Sequence, residues 1–125
     1  MIINFNSEVP IYLQLADLIE DNILKGVFIE DQQIPSTTEI SVNNKINPAT
    51  VAKGFNLLAD EGVIYKKRGV GMFVSKGARE KLVRKRKEKF YDNYVLSLME
   101  EARKLDISLG EIIKMLERGH SHEWN

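Results

Sequence analysis

The feature that most constrains this chain is a pair of helix-start signals set 11 residues apart. Ser36, with Glu39 three residues on, forms a capping box, in which each side chain satisfies an orphan N–H of the first helical turn. Asn47-Pro48 repeats the instruction in another form, since Asn suits the N-cap and Pro the first helical position. The helix begun at Ser36 has Ile40 and Val42 as its apolar content, and Asn43-Asn44-Lys45 breaks it within about two turns. A short helix, a tight turn and a second helix at this spacing pack as a helix-turn-helix pair. The first helix then presents the second to the outside.

The flanking segments fit that reading. Pro10 to Lys25 places apolar residues at positions 11, 15, 18, 19 and 23, the period of a helix burying one face, with Gly26 just past its end. Val27 to Pro35 is aperiodic. The helix after Asn47 buries Val51, Phe55, Leu58 and Ala59, and Gly62 ends it. Its other face carries Ala49, Thr50, Ala52, Lys53 and Asn56, small and polar residues with one cation, suited to a major groove because no carboxylate faces phosphate. Val63 to Lys67 and Met72 to Val74 are β-type runs joined by Arg68-Gly69-Val70-Gly71. That predicts a hairpin with a basic tip, and glycines 69 and 71 let its backbone approach a phosphate. The fold class expected is mostly α with a small β-hairpin wing: a winged helix-turn-helix domain over residues 1–76, then a helical dimerisation segment over residues 77–125.

In that second segment, Arg79 to Leu105 reads as one helix of 27 residues. Ser108 with Glu111 starts another, which ends near Gly119 and leaves a mobile tail from His120 to Asn125. Two amphipathic helices cannot shield their own apolar stripe, and the simplest partner is a second copy. The expected dimer interface is Tyr91, Tyr94, Val95, Leu98, Met99, Ala102, Leu105, Ile112 and Leu116. A small-molecule effector pocket along the same stripe is the rival use of those side chains.

Composition narrows the function. The net charge is zero, yet residues 1–60 carry 3 basic and 8 acidic side chains, residues 61–90 carry 11 and 3, and residues 91–125 carry 4 and 7. A basic middle between acidic ends points to a polyanion partner at one face, with the cations expected along the wing and the start of the linking helix. The chain has no cysteine, which excludes a disulfide scaffold, a Cys-ligated zinc site and a thiol nucleophile, and makes the cytoplasm the expected compartment. No charge-free stretch exceeds the eight residues Val9 to Ala16, and no membrane span is expected. Ser36 is accounted for by its cap, and no His or Lys stands in a motif that would activate it, so an enzyme is not expected. His120 and His122 fall short of a metal shell; no metal and no cofactor is assigned.

Five spaced motifs, Pro10-Ile11-Tyr12-Leu13-Gln14-Leu15, Ile34-Pro35-Ser36, Asn47-Pro48-Ala49-Thr50-Val51-Ala52-Lys53, Leu58-Ala59-Asp60-Glu61-Gly62-Val63-Ile64 and Arg68-Gly69-Val70-Gly71-Met72-Phe73-Val74, resemble the GntR family of bacterial transcription regulators. The form of the second helix and the short C-terminal part resemble its YtrA subfamily. The resemblance implies a cytoplasmic homodimer that binds an operator in double-stranded DNA, usually as a repressor and often of transporter operons. It carries DNA contact to Ser36, Thr50, Lys53, Arg68 and Gly69, and with the residue reading the expected DNA-binding set is Ser36, Thr38, Asn47, Ala49, Thr50, Lys53, Arg68, Gly69 and Gly71. Two positions depart from the family pattern: Thr38 stands where Arg is usual, and Gly54 where Ala is usual. The competing readings are a winged-helix module that binds protein and a DNA-coating protein of low specificity.

Overall fold

The computed structural model describes residues 2–123 and divides into two compact units, residues 1–85 and 86–125. In the first, helices α1 (Ile11–Leu24), α2 (Thr37–Asn44) and α3 (Pro48–Asp60) are followed by strands β1 (Ile64–Lys67) and β2 (Gly71–Val74) and by most of α4 (Ala78–Phe90). Leu15, Ile19 and Ile23 lie at four-residue spacing on α1 and are buried. They meet Ile40 of α2, the Val51, Phe55 and Leu58 face of α3, and Ile64 and Val74 of the hairpin in one cluster. Burying each large aliphatic side chain contributes about 1.5–3 kcal/mol. Ala78 and Leu82 belong to this core too, so the unit runs past the boundary drawn at residue 76.

Local signals set the ends of these helices. Ser36 Oγ accepts the Glu39 N–H (3.0 Å) while Glu39 Oε1 accepts the Ser36 N–H (3.4 Å), completing the capping box. Lys45 leaves α2 in the left-handed conformation at φ 54°, and Asn47 Oδ1 accepts the Ala49 N–H at 2.8 Å to open α3. α1 and α3 pack closely at Gly54, where an added Cβ would lie 3.0 Å from the Tyr12 carbonyl oxygen. That contact gives Gly54 a reason that offsets its helix-propensity cost of about 1 kcal/mol.

β1 and β2 pair antiparallel in the register Ile64 with Val74 to Lys67 with Gly71. The aperiodic segment before α2 pairs with the wing: Asp31 N–H donates to Val74 O (2.8 Å), Ile34 N–H to Met72 O (2.9 Å) and Val74 N–H to Gln32 O (3.1 Å). Residues 31–34 thus line the outer edge of β2.

The second unit contains the end of α4, a π-helical turn (Tyr91–Val95), α5 (Leu96–Lys104) and α6 (Leu109–Glu123). The single helix expected over 79–105 is therefore interrupted: Leu96 N–H reaches back to Tyr91 O, five residues earlier, which inserts an extra residue in the turn. Asp106 at φ 56° ends α5, and Ser108 Oγ accepts the Glu111 N–H (3.2 Å) to start α6. α6 passes through Gly119 and continues to Glu123, not ending where the sequence suggested. A lone Gly weakens a helix without stopping it. His120 and His122 accordingly lie on α6 rather than in a tail, and the last two residues of that expected tail fall outside the described part.

Candidate nucleic-acid interface

α3 turns Val51, Phe55 and Leu58 inward, which leaves Ala49, Lys53 and Asn56 exposed and Thr50 and Ala52 half-buried on the opposite side. No acidic side chain occurs in α3 before its last residue, Asp60. Lys53 is held against the first helix: its Nζ sits 4.1 Å from the centroid of the Tyr12 ring on α1. Ser36 caps α2 as an acceptor and keeps its hydroxyl proton for a further acceptor. Thr38 is exposed in the first turn of the same helix, beside the capping box. The helix-turn-helix thus brings together six of the residues assigned to DNA contact, Ser36, Thr38, Asn47, Ala49, Thr50 and Lys53.

The hairpin carries the other three. Lys66, Lys67 and Arg68 are exposed. The tip closes through Val70 N–H to Lys67 O at 3.0 Å, with Gly69 at φ 76°. The wing is stiffened by stacking of Tyr65 on Phe73, ring centroids 5.8 Å apart, and by Lys67 Nζ 4.4 Å from the Phe73 centroid. Gly71, at φ 144°, has a backbone conformation that L side chains rarely adopt, and a Cβ there would also lie 2.5 Å from Gln33 Nε2. Tyr65 donates to Asp31 Oδ1 at 3.4 Å. Burial, then the Asp31 charge and that hydrogen bond, raise the Tyr65 phenol above its ordinary pKa.

The start of the linking helix behaves differently from expectation. Arg79 Nε donates to Leu24 O (3.1 Å), at the end of α1, and Lys81 Nζ to Glu61 O (3.0 Å), at the end of α3. Lys85 Nζ bridges the buried Glu20 (3.0 Å) and Glu61 (3.1 Å). Burial pulls the Lys85 pKa down, but the hydrogen bonds and charges of the two carboxylates outweigh it and the net shift is upward. Cations placed near helix C-termini meet unsatisfied carbonyls and the negative end of the dipole. These three exposed cations therefore fasten α4 to α1 and α3, a use within the fold that charge alone did not reveal. Sequence reasoning did not single out Tyr12 or Gln33 for their contacts with Lys53 and with the wing tip, because those partners are distant in the chain.

A family model for bacterial regulatory proteins of the gntR family matches residues 11–74, from the start of α1 to the end of β2. The chain belongs to the GntR family. The HTH-type transcriptional repressor YtrA of Bacillus subtilis is 35% identical over 77 residues, covering 62% of this chain and 59% of that protein. A GntR-family regulator structure from Bacteroides thetaiotaomicron matches with a TM-score of 0.70 and 40% identity, covering 90% of this chain and 98% of that one. The structure of AraR(DBD) in complex with operator ORX1 matches with a TM-score of 0.54 and 28% identity, over 60% of this chain and 93% of that one. The GntR fold here is a winged helix-turn-helix, and the protein is a DNA-binding transcription regulator, not an enzyme. Among the described residues no helix is long and apolar enough to cross a membrane.

Proposed function

We propose that this GntR protein is a cytoplasmic repressor that binds an inverted-repeat operator as a homodimer, with one α3 per half-site. The observation that carries the reading is the outward face of α3: small and polar side chains, no carboxylate before Asp60 at its far end, and one cation seated on Tyr12. AraR(DBD), a structural relative, is seen on operator DNA, which supports the same use of the equivalent fold here. Ser36, Thr38, Asn47, Ala49, Thr50 and Lys53 meet one groove and its phosphates, and Arg68 with Gly69 meets the neighbouring backbone or minor groove.

The homodimer reading draws on the second unit. Tyr91, Tyr94, Leu98, Leu105 and Leu116 are all more than 40% exposed, a larger apolar display than a small monomer ordinarily keeps. Val95 and Met99 are half-buried beside them, whereas Ala102 and Ile112 are buried within the unit and line a groove of about 320 Å³ rather than standing proud of it. A second copy laid on this stripe brings a second α3 for the other half-site. The resemblance to YtrA supports a transporter operon as target, and the groove has room for a small apolar effector.

Selection of bound DNA from a random duplex pool, followed by fluorescence anisotropy on the recovered sequence, tests the reading. The expected product is a symmetric sequence bound well above random DNA by a dimer in sedimentation. Recovery of no symmetric sequence, or binding by a monomer, overturns it.

A further inference from the structure

The carbonyl of Val70, at the hairpin tip, accepts a hydrogen bond from the side-chain amide of Gln33 at 2.9 Å. The need for a side chain at this point follows from the backbone. Pairing along the outer edge of β2 stops at Ile34 N–H to Met72 O. An antiparallel ladder continued toward the tip would next offer the Ser36 N–H to the Val70 carbonyl. Pro35 between them has no N–H, and the Ser36 N–H is taken by Glu39 Oε1 in the capping box. The amide of Gln33 supplies the donor that the backbone cannot. Gly71 makes room for it, since any β-carbon there would collide with Gln33 Nε2.

With Val70 N–H closed on Lys67 O and Val70 O closed on Gln33, both backbone polar groups of the tip residue are fixed. Gln33 lies three residues before Ser36, so one short segment joins the wing tip to the start of α2. We propose that Gln33 is a positioning residue for DNA binding, holding the wing tip and Arg68 in a fixed relation to the start of α2. Contacts at the helix pair and at the wing are then made together, without the ordering cost of a loose tip. The proposal rests on the DNA-binding reading above, and adds to it a residue that need not touch DNA.

Gln33→Ala and the near-isosteric Gln33→Met, which lacks the donor, test it in the full chain. Because the side chain is exposed, the melting temperature should stay within about 2 °C of wild type. Amide exchange at Val70 and Gly71 in the free protein should accelerate at least about fivefold as the tip opens. On the duplex that wild type recovers from a random pool, each variant should bind about fivefold more weakly. Arg68→Ala should then weaken binding less in the Gln33→Ala background than alone, because the tip is no longer placed. Unchanged exchange, wild-type affinity for Gln33→Met, or strictly additive effects with Arg68→Ala overturns the role of Gln33 while leaving the DNA reading intact. Failure of wild type to recover any DNA overturns that reading, and the positioning role with it.

Discussion

The ammonium of Lys53 on α3 sits 4.1 Å from the centroid of the Tyr12 ring on α1. α3 contributes no other cation, so the direction of this side chain decides where that helix presents positive charge. A cation–π contact at a partly exposed site contributes about 0.5–1 kcal/mol. Tyr12→Leu is expected to weaken DNA binding about two- to fivefold, whereas Tyr12→Phe, which keeps the ring, should match wild type. Lys53→Glu should weaken binding to every DNA sequence without changing the dimer. Anisotropy titrations of the three variants, with sedimentation of the last, check this.

The engaged cations of α4 lead to a second expectation. Removing one cation that neutralises a phosphate should reduce the slope of log K against log salt by about 0.9. Lys66→Gln and Arg68→Gln should each lower the slope by about that amount, while Arg79→Gln should leave it unchanged because its guanidinium serves the end of α1. Salt titrations on one duplex separate the two groups.

Lys85 and Tyr65 both have raised pKa values in the folded chain. A raised folded value means that the stabilisation is complete below the unfolded value and disappears as pH rises through the folded one. The ordinary values are 10.5 and 10.0, so melting temperature should hold steady through neutral pH and fall above about pH 10. Lys85→Met should flatten part of that fall and cost about 1 kcal/mol at neutral pH, a modest amount because the Lys85 side chain is 43% exposed. Thermal melts of both proteins between neutral pH and pH 11 decide it.

Truncation gives a fourth test. Cutting after residue 76 removes Ala78 and Leu82 from the core, and deleting a buried Leu side chain alone costs about 2–5 kcal/mol. The fragment 1–76 should melt well below fragment 1–85. The longer fragment should be a folded monomer that binds operator DNA more weakly than the full chain, because the second half-site no longer benefits from effective concentration. Circular dichroism and sedimentation read both outcomes.

What the sequence made legible was local. The Ser36–Glu39 box, the Asn47-Pro48 start and the left-handed residue at Gly62 each involve partners within a few positions, and each stands as read. The wing was legible because strand-forming residues bracket a Gly-containing turn. The missed features depend on contacts across the fold. Nothing in the aperiodic run around Gln33 announces that it will pair with β2, 40 residues later at Phe73. Gly54 looks like a defect until the Tyr12 carbonyl is placed against it. A run of cations has the same appearance whether it faces phosphate or also caps helix ends, which is why the helix-end contacts of Arg79 and Lys81 were not foreseen. The π-helical turn escaped for another reason: one inserted residue leaves the three-and-four spacing of Phe90, Tyr94 and Leu98 intact to the eye.

The strip of chain at residues 31–34 also changes what a β-hairpin would otherwise invite. An exposed strand edge is a template for pairing with another chain. Here β2 is flanked on both sides, by β1 and by that strip, and among the described residues the edge left open belongs to β1, which displays Lys66 and Lys67. Lysines on an open edge repel a second, like edge. Two wings that meet edge to edge are therefore kept from zipping into a shared sheet.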